Sequence, residues 1–231
     1  MTTTEDSTES NLTRIAIVDD HPMVRQGIRV VLQAEGGFEV CGEAESVSEA
    51  LQMLSREKPD LAIVDLHLKN SSGLELIKDV QVRQPDLPIL VLSMRDEGFY
   101  AERVLRAGAR GYVTKEEGPK KIVEGIRRVL AGDIFLSDQM ASKVMSKIVG
   151  GLDKPGDSPM DSLTDRELEV FELIGQGLPT REVAQRLHIS PKTVDSHREH
   201  IKEKLKLDNS TDLLKHAIEW SQYSGGNDIS A

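Results

Sequence analysis

The sequence predicts an α/β fold, a doubly wound five-stranded parallel sheet, followed by a small all-α domain of four helices. Between residues 14 and 135 short apolar runs alternate five times with segments of helical period, which is the pattern of successive βα units. Runs such as Ile15-Ala16-Ile17-Val18 and Leu61-Ala62-Ile63-Val64 are apolar without alternation, as strands covered on both faces require. After the Gly/Pro-rich stretch at 150–159 the period is helical throughout, which marks a second domain.

The first strand, 14–19, leads into His21-Pro22, where Pro suits the first helical position. Val24, Ile28 and Val31 recur behind it at helical spacing as a buried face. Residues 38–41 read as the second strand. Ser46-Val47-Ser48-Glu49 has the capping-box pattern, opening a helix that carries Ala50, Leu51, Met53 and Leu54. The third strand ends in Asp65, and a polar loop of residues 67–73 follows. Leu74, Ile77 and Val80 carry the next helix, which stops before Gln84-Pro85. A fourth strand ending in Ser93, a helix at 97–107, a fifth strand ending before Lys115 and a helix at 119–131 complete the set.

Residues 136–150, with Leu136, Met140, Val144 and Ile148, again have helical period. Thr164-Asp165-Arg166-Glu167 is a second capping box, ahead of Leu168, Val170, Phe171 and Ile174. Gly175-Gln176-Gly177 ends that helix. Thr180 is expected to cap a short helix at 181–187, and His188-Ile189 to turn the chain. Ser190-Pro191 supplies an N-cap and a first-turn Pro for a long helix at 192–205. Asn209 or Ser210 caps a last helix through Leu213, Leu214, Ala217, Ile218 and Trp220. The expected organisation is a disordered tail (1–13), the α/β domain (14–135), a helical and flexible linker (136–160), the helical domain (161–223) and a second tail (224–231).

Functional groups of parallel sheets gather at the carboxyl edge of the strands. Asp65 stands at that edge, and the first strand brings Asp19 and Asp20 to it. Three carboxylates that close cannot all stay ionised without a compensating cation. A hard divalent ion with oxygen ligands, Mg²⁺ where phosphates are handled, is the natural solution. Ser93 and Lys115, 28 and 50 residues after Asp65, stand at matching strand ends. Acid pair, Asp, hydroxyl and Lys on successive strands resemble the receiver domain of two-component response regulators. The resemblance implies the sheet order 2-1-3-4-5 and a phosphoryl group accepted by Asp65 from a histidine kinase. It also implies Mg²⁺ held by Asp19, Asp20, Asp65 and the backbone carbonyl of His67. Ser93 and Lys115 would hold the phosphoryl oxygens, and Tyr112 matches the aromatic position that reports phosphorylation. Lys69 departs from the family, which commonly has Pro there; the departure bears on the loop's stiffness, not on the chemistry.

Composition narrows the remaining choices. One cysteine, Cys41, excludes a disulfide framework and suits a reducing compartment. No run approaches the roughly 20 apolar residues of a membrane span, and residues 1–13 lack the features of a signal peptide, so a cytoplasmic protein is expected. The net charge of −10 argues against a nucleic-acid binder that relies on bulk charge, so DNA contact must rest on a local patch.

A short helix, a tight turn and a capped second helix form the helix-turn-helix plan, whose second helix enters the major groove. Leu163-Thr164, Gly177-Leu178, Ile189-Ser190, Thr193-Val194, His197 and Leu205 resemble the LuxR-type DNA-binding domain. Receiver plus this domain is similar to NarL/FixJ-type transcription factors, which implies a double-stranded DNA partner and a homodimer when phosphorylated. By the same resemblance Asp195, Ser196 and Glu199 face base edges. Lys192, Thr193, Arg198, Lys202 and Asn209 would hold the backbone, and His197 lies among the DNA-facing residues and adds charge below neutrality. Two rivals remain. A haloacid-dehalogenase-type phosphotransferase would want a second Asp two residues after the nucleophile, where this chain has His67. An output domain that binds protein rather than DNA is kept open by the acidic balance.

Overall fold

The computed structural model describes residues 12–68, 71–94, 97–149 and 159–224. The chain divides into two compact units, with the break between residues 141 and 142.

In the first unit five strands alternate with five helices: β1 (Thr13–Val18), α1 (Pro22–Glu35), β2 (Phe38–Ala44), α2 (Val47–Glu57), β3 (Leu61–Val64), α3 (Gly73–Arg83), β4 (Ile89–Ser93), α4 (Glu97–Ala107), β5 (Gly111–Thr114) and α5 (Pro119–Leu130). Neighbouring strands of this sheet are all parallel, in the order β2-β1-β3-β4-β5, as expected, and a short antiparallel pair, His67–Leu68 with Ser71–Ser72, lies apart from it in the loop after β3. The register of β1 on β2 skips Cys41, which sits in a bulge with its Sγ 3.5 Å from the Ile15 carbonyl.

Both parities of the central strands are buried, which accounts for the unbroken apolar runs. Ile15, Ile17, Leu61, Ile63, Leu90, Leu92 and Val113 form one core with Ile28 and Leu32 of α1 and Ile122, Ile126 and Val129 of α5. The alternate residues Ala16, Val18, Ala62, Val64, Ile89 and Val91 are equally buried, on the face where α2, α3 and α4 pack side by side. Beyond α5 the chain returns to β5: Tyr112 N–H donates to the Phe135 carbonyl (2.8 Å) and Phe135 N–H to the Arg110 carbonyl (2.9 Å). The Glu97 carboxylate then accepts the backbone N–H of Ser137 (2.8 Å), just before α6 (Asp138–Val149).

The second unit holds a 3₁₀ turn (Pro159–Ser162), α7 (Asp165–Gly175), α8 (Thr180–Arg186), α9 (Pro191–Leu205) and α10 (Ser210–Ser224). Its core is built from Leu168, Val170, Phe171 and Ile174 of α7 with Val183, Val194, Ile201, Leu213 and Ala217. Phe171 and Trp220 meet edge to face at 5.8 Å. Gly175 is needed where α7 crosses α10, since a Cβ there would lie 2.3 Å from the Ala217 carbonyl oxygen.

Several expected boundaries and caps differ. β1 already includes Thr13 and α10 still includes Ser224, so each tail is shorter than expected. Residues 1–11 and 225–231 of the tails and residues 150–158 of the linker lie outside the described residues. Ser46 accepts the Glu49 N–H, but the Glu49 carboxylate takes the N–H of Glu45, so the box closes one residue early. Thr180 is the first helical residue, and the N-cap position falls instead to Pro179, which offers no side-chain cap. Asn209 is the cap of α10, accepting from the N–H groups of Thr211 (2.9 Å) and Asp212 (3.0 Å). The reciprocal box at Thr164 and Glu167 is present as read.

Candidate functional site

The carboxyl edge of the sheet gathers the residues that the strand ends promise. Asp19 follows β1 and Asp65 follows β3, and the two strands are hydrogen-bonded neighbours, with Asp65 N–H donating to the Val18 carbonyl (2.8 Å). Both carboxylates are buried, each side chain 3% exposed. Lys115, leaving β5, lies across them: its Nζ is 2.6 Å from Asp19 Oδ2 and 2.6 Å from Asp65 Oδ2. Its own position is fixed by a backbone hydrogen bond to the Ser93 carbonyl (2.9 Å). Ser93 is buried at the end of β4 and Tyr112 is buried within β5.

Burial pushes the Asp65 carboxyl above the usual carboxylate range, and the adjacent Asp19 charge adds to this against the pull of Lys115. Burial also disfavours the Lys115 ammonium, but Asp65 and Asp19 together outweigh it and raise its pKa above the ordinary lysine value.

Asp20 sits at the rim. Its Oδ1 is shut off from solvent and takes no well-directed hydrogen bond, although His21 Nδ1 lies 2.6 Å away. Asp19, Asp20, His21 and Asp65 can each offer one ligand atom, all within 4.8 Å of one another. An orphaned buried carboxylate oxygen beside two further carboxylates is a donor set that fits a hard divalent cation. The remaining Asp65 oxygen, Oδ1, accepts the N–H of His67 at 3.2 Å.

Three supporting residues carry no mark in the sequence. Gly73 opens α3 directly against the strand end: a Cβ there would lie 2.0 Å from the Asp65 carbonyl oxygen. Arg25 donates to the Asp19 carbonyl (2.6 Å) and is itself held by Glu43 of β2, at 3.0 Å. Glu97 ties the start of α4 to the segment leading into α6. None of these contacts follows a fixed helical or strand spacing, so residue type and periodicity do not signal them.

In the second unit α8, the turn with His188 at φ 52° and α9 form the helix-turn-helix. Along α9 the expected residues divide. Lys192, Thr193, Asp195, Ser196 and Glu199 are exposed. Thr193 Oγ1 is 2.8 Å from Ser190 Oγ, and the Ser196 hydroxyl donates to the Lys192 carbonyl (3.1 Å). Lys202 is largely covered and pairs with Glu199 at 2.9 Å, while Arg198 is half-buried. His197 turns toward Glu167 of α7, and the Asn209 side chain is committed to its cap.

A doubly wound domain with an acid–lysine cluster at its carboxyl edge, followed by a helix-turn-helix, defines a DNA-binding signalling regulator. The comparisons agree over both halves. The profile of the response regulator receiver domain matches residues 15–127, and that of bacterial regulatory proteins of the luxR family matches residues 161–217. The oxygen regulatory protein NreC of Staphylococcus carnosus is 34% identical over 209 residues, 89% of this chain and 96% of that protein. The transcriptional activator protein ExaE of Pseudomonas putida is 38% identical over 206 residues, 89% of this chain and 95% of that protein. RcsB of Salmonella enterica serovar Typhimurium, bound to promoter rprA in the presence of the phosphomimetic BeF3⁻, superposes with a TM-score of 0.63 at 28% identity, covering 90% of this chain and 99% of that one. The chain belongs to the NarL-type response regulators, transcription regulators with a receiver domain and a LuxR-type DNA-binding domain. No helix among the described residues is long and apolar enough to cross a membrane.

Proposed function

We propose that Asp65 is the phosphoryl acceptor of this regulator and that its acyl phosphate controls DNA binding by the α7–α10 domain. The donor is the phosphohistidine of a cognate histidine kinase, and the protein works in the cytoplasm, where its DNA target lies. It catalyses nothing beyond its own phosphorylation and dephosphorylation. The observation that carries this reading is the single ammonium of Lys115, 2.6 Å from both Asp19 and Asp65, in a pocket that buries both carboxylates.

A carboxylate oxygen of Asp65 attacks phosphorus as the P–N bond to the donor imidazole breaks, and the leaving nitrogen keeps the electron pair. Phosphoryl transfer of this kind is mostly positioning and charge neutralisation. Mg²⁺ would be held by Asp19, Asp20, Asp65 and the His67 carbonyl, and would supply neutralisation of charge on the phosphoryl oxygens. Lys115 moves from Asp65 to an oxygen of the new phosphate, and the Ser93 hydroxyl donates to another. The product carries roughly −1.5 to −2 charge, enough to reorder the loop after β4 and the environment of Tyr112.

Dimerisation is assigned to α10, whose Leu214 and Ile218 are exposed apolar residues one helical turn apart. On DNA, Asp195, Ser196 and Glu199 are the base-facing set. Lys192, Thr193 and Arg198 hold the backbone, joined by Lys202, His197 and Asn209 where their present partners release them. The test is labelling of the whole protein by radiolabelled acetyl phosphate with Mg²⁺, followed by a gel shift. One label is expected, lost in Asp65→Asn and in EDTA, together with tighter DNA binding. Labelling that survives Asp65→Asn overturns the assignment.

A further inference from the structure

A second group of potential ligands lies in the DNA-binding domain, away from the aspartates. Glu167, His197 and His200 each offer one ligand atom, and these atoms lie within 4.8 Å of one another. His197 and His200 are three residues apart on α9 and so share a face. Glu167 is the third residue of α7, which packs against α9.

The carboxylate is fixed before any ligand arrives. Its Oε2 accepts the Thr164 N–H at 2.7 Å and Lys204 Nζ at 2.6 Å. Its Oε1 faces His200 Nδ1 at 3.8 Å, too far for a hydrogen bond. Protonation states are also suitable. Burial pushes the Glu167 carboxyl up, but Lys204 and Thr164 more than reverse this and keep it ionised. Burial pushes the His197 imidazole below its usual range.

We propose that Glu167 Oε1, His197 and His200 form a binding site for a Zn²⁺-class dication, with a fourth position open to water. Two imidazoles and one carboxylate suit zinc and its neighbours and are a poor set for Mg²⁺ or Ca²⁺. Bonds of about 2.0–2.1 Å need the ligand atoms to close to roughly 3.4 Å of one another. His200, with its side chain 60% exposed, has room to make that movement by a rotamer change. The Lys204 ammonium on the opposite oxygen lowers the affinity without covering the free one. An ion here would staple the recognition helix to α7 and occupy His197, so metal supply would bear on how the domain meets DNA.

The whole protein is titrated with Co²⁺ in excess Mg²⁺, which occupies the aspartate cluster and leaves the imidazole site to be read. The visible bands of four-coordinate Co²⁺ are expected, displaced by Zn²⁺. Zn²⁺ should also raise the midpoint of the unfolding transition reported by Trp220, which lies in this unit. His200→Gln removes an exposed ligand without touching the core, and Glu167→Gln keeps an acceptor for the cap. Each should lose the bands and bind Zn²⁺ at least about tenfold more weakly. Absence of four-coordinate bands in the wild type, or bands and a midpoint shift unchanged in His200→Gln, would overturn the site. Either result leaves the phosphorylation of Asp65 untouched.

Discussion

Replacing Lys115 with Met keeps the length of the side chain and removes its charge, which tests what holds two carboxylates in one dry pocket. Lys115 is 10% exposed and its two partners 3%, so solvent screens these contacts little. At an effective dielectric of about 20, unit charges about 4 Å apart attract by about 4 kcal/mol, so two such contacts are worth about 8 kcal/mol gross. Against this stands the desolvation of the ammonium, several kcal/mol, which the variant no longer incurs. The expected net loss is about 3–5 kcal/mol, the usual result of leaving buried charge unpaired. Urea unfolding in EDTA measures it, followed by far-ultraviolet circular dichroism and by the emission of Tyr100 and Tyr112, both in this unit. Trp220 reports the other unit and serves as the internal control. Excess Mg²⁺ should recover most of the loss. Adding Asp65→Asn should recover about 1–3 kcal/mol, because the two positions share one interaction. A Lys115→Met protein within about 1 kcal/mol of wild type in EDTA would refute the argument, since typical domains have only about 5–15 kcal/mol in all.

The same cluster fixes a pH dependence. Because the Lys115 pKa is raised on folding, its contribution is complete below the ordinary lysine value of 10.5 and is lost as pH rises through the raised one. Because the Asp65 pKa is also raised, its ionisation opposes folding; that cost is relieved as pH falls through the raised value and is gone below 3.8. Urea midpoints across pH should show both limbs in the first unit, and Asp65→Asn should remove the acid-side gain. Gly73→Ala places a methyl where the Asp65 carbonyl already stands, so a loss of about 1–3 kcal/mol is expected, with slower labelling by acetyl phosphate. Labelling at the wild-type rate would show that Gly73 does not position Asp65. Asp195→Ala should relax the choice at one C·G pair by about 1–3 kcal/mol, and a binding-site selection that returns an unchanged consensus would exclude base reading by this carboxylate.

The sheet and its carboxyl edge were legible because strands ending in Asp19, Asp65, Ser93 and Lys115 are local patterns, and a parallel sheet brings such ends together whatever the helices do. Caps were legible to within a residue: Thr164 and Glu167 close as read, Ser46 caps as read while the Glu49 carboxylate takes the Glu45 N–H instead, and the cap expected at Thr180 falls to Pro179. The supports of the site were not legible. Arg25 on the Asp19 carbonyl, Glu97 on the Ser137 amide and Gly73 under Asp65 depend on where backbone passes, and residue type does not encode that. On α9 helical spacing identified shared faces but not which face turns inward. The resemblance placed His197 with the DNA-facing residues, although the ring lies near Glu167, and spacing left the pairing of Lys202 with Glu199 unread.

The return of the chain to β5 through Phe135 decides where the first unit can be cut. The sheet ends at β5 on this side, and an open edge is a row of unpaired N–H and carbonyl groups that recruits strands from other molecules. Residues 133–137 close part of that row: Phe135 takes the Tyr112 N–H and gives its own to Arg110, and its ring covers the core beside Ile126. A fragment that stops at the end of α5 keeps every strand of the sheet and every residue of the aspartate–lysine cluster, yet uncovers this edge and the apolar surface beneath it. Such a fragment is expected to self-associate through the uncovered edge. Fragments ending beyond Ser137 keep this edge sealed and should stay monomeric under the same conditions.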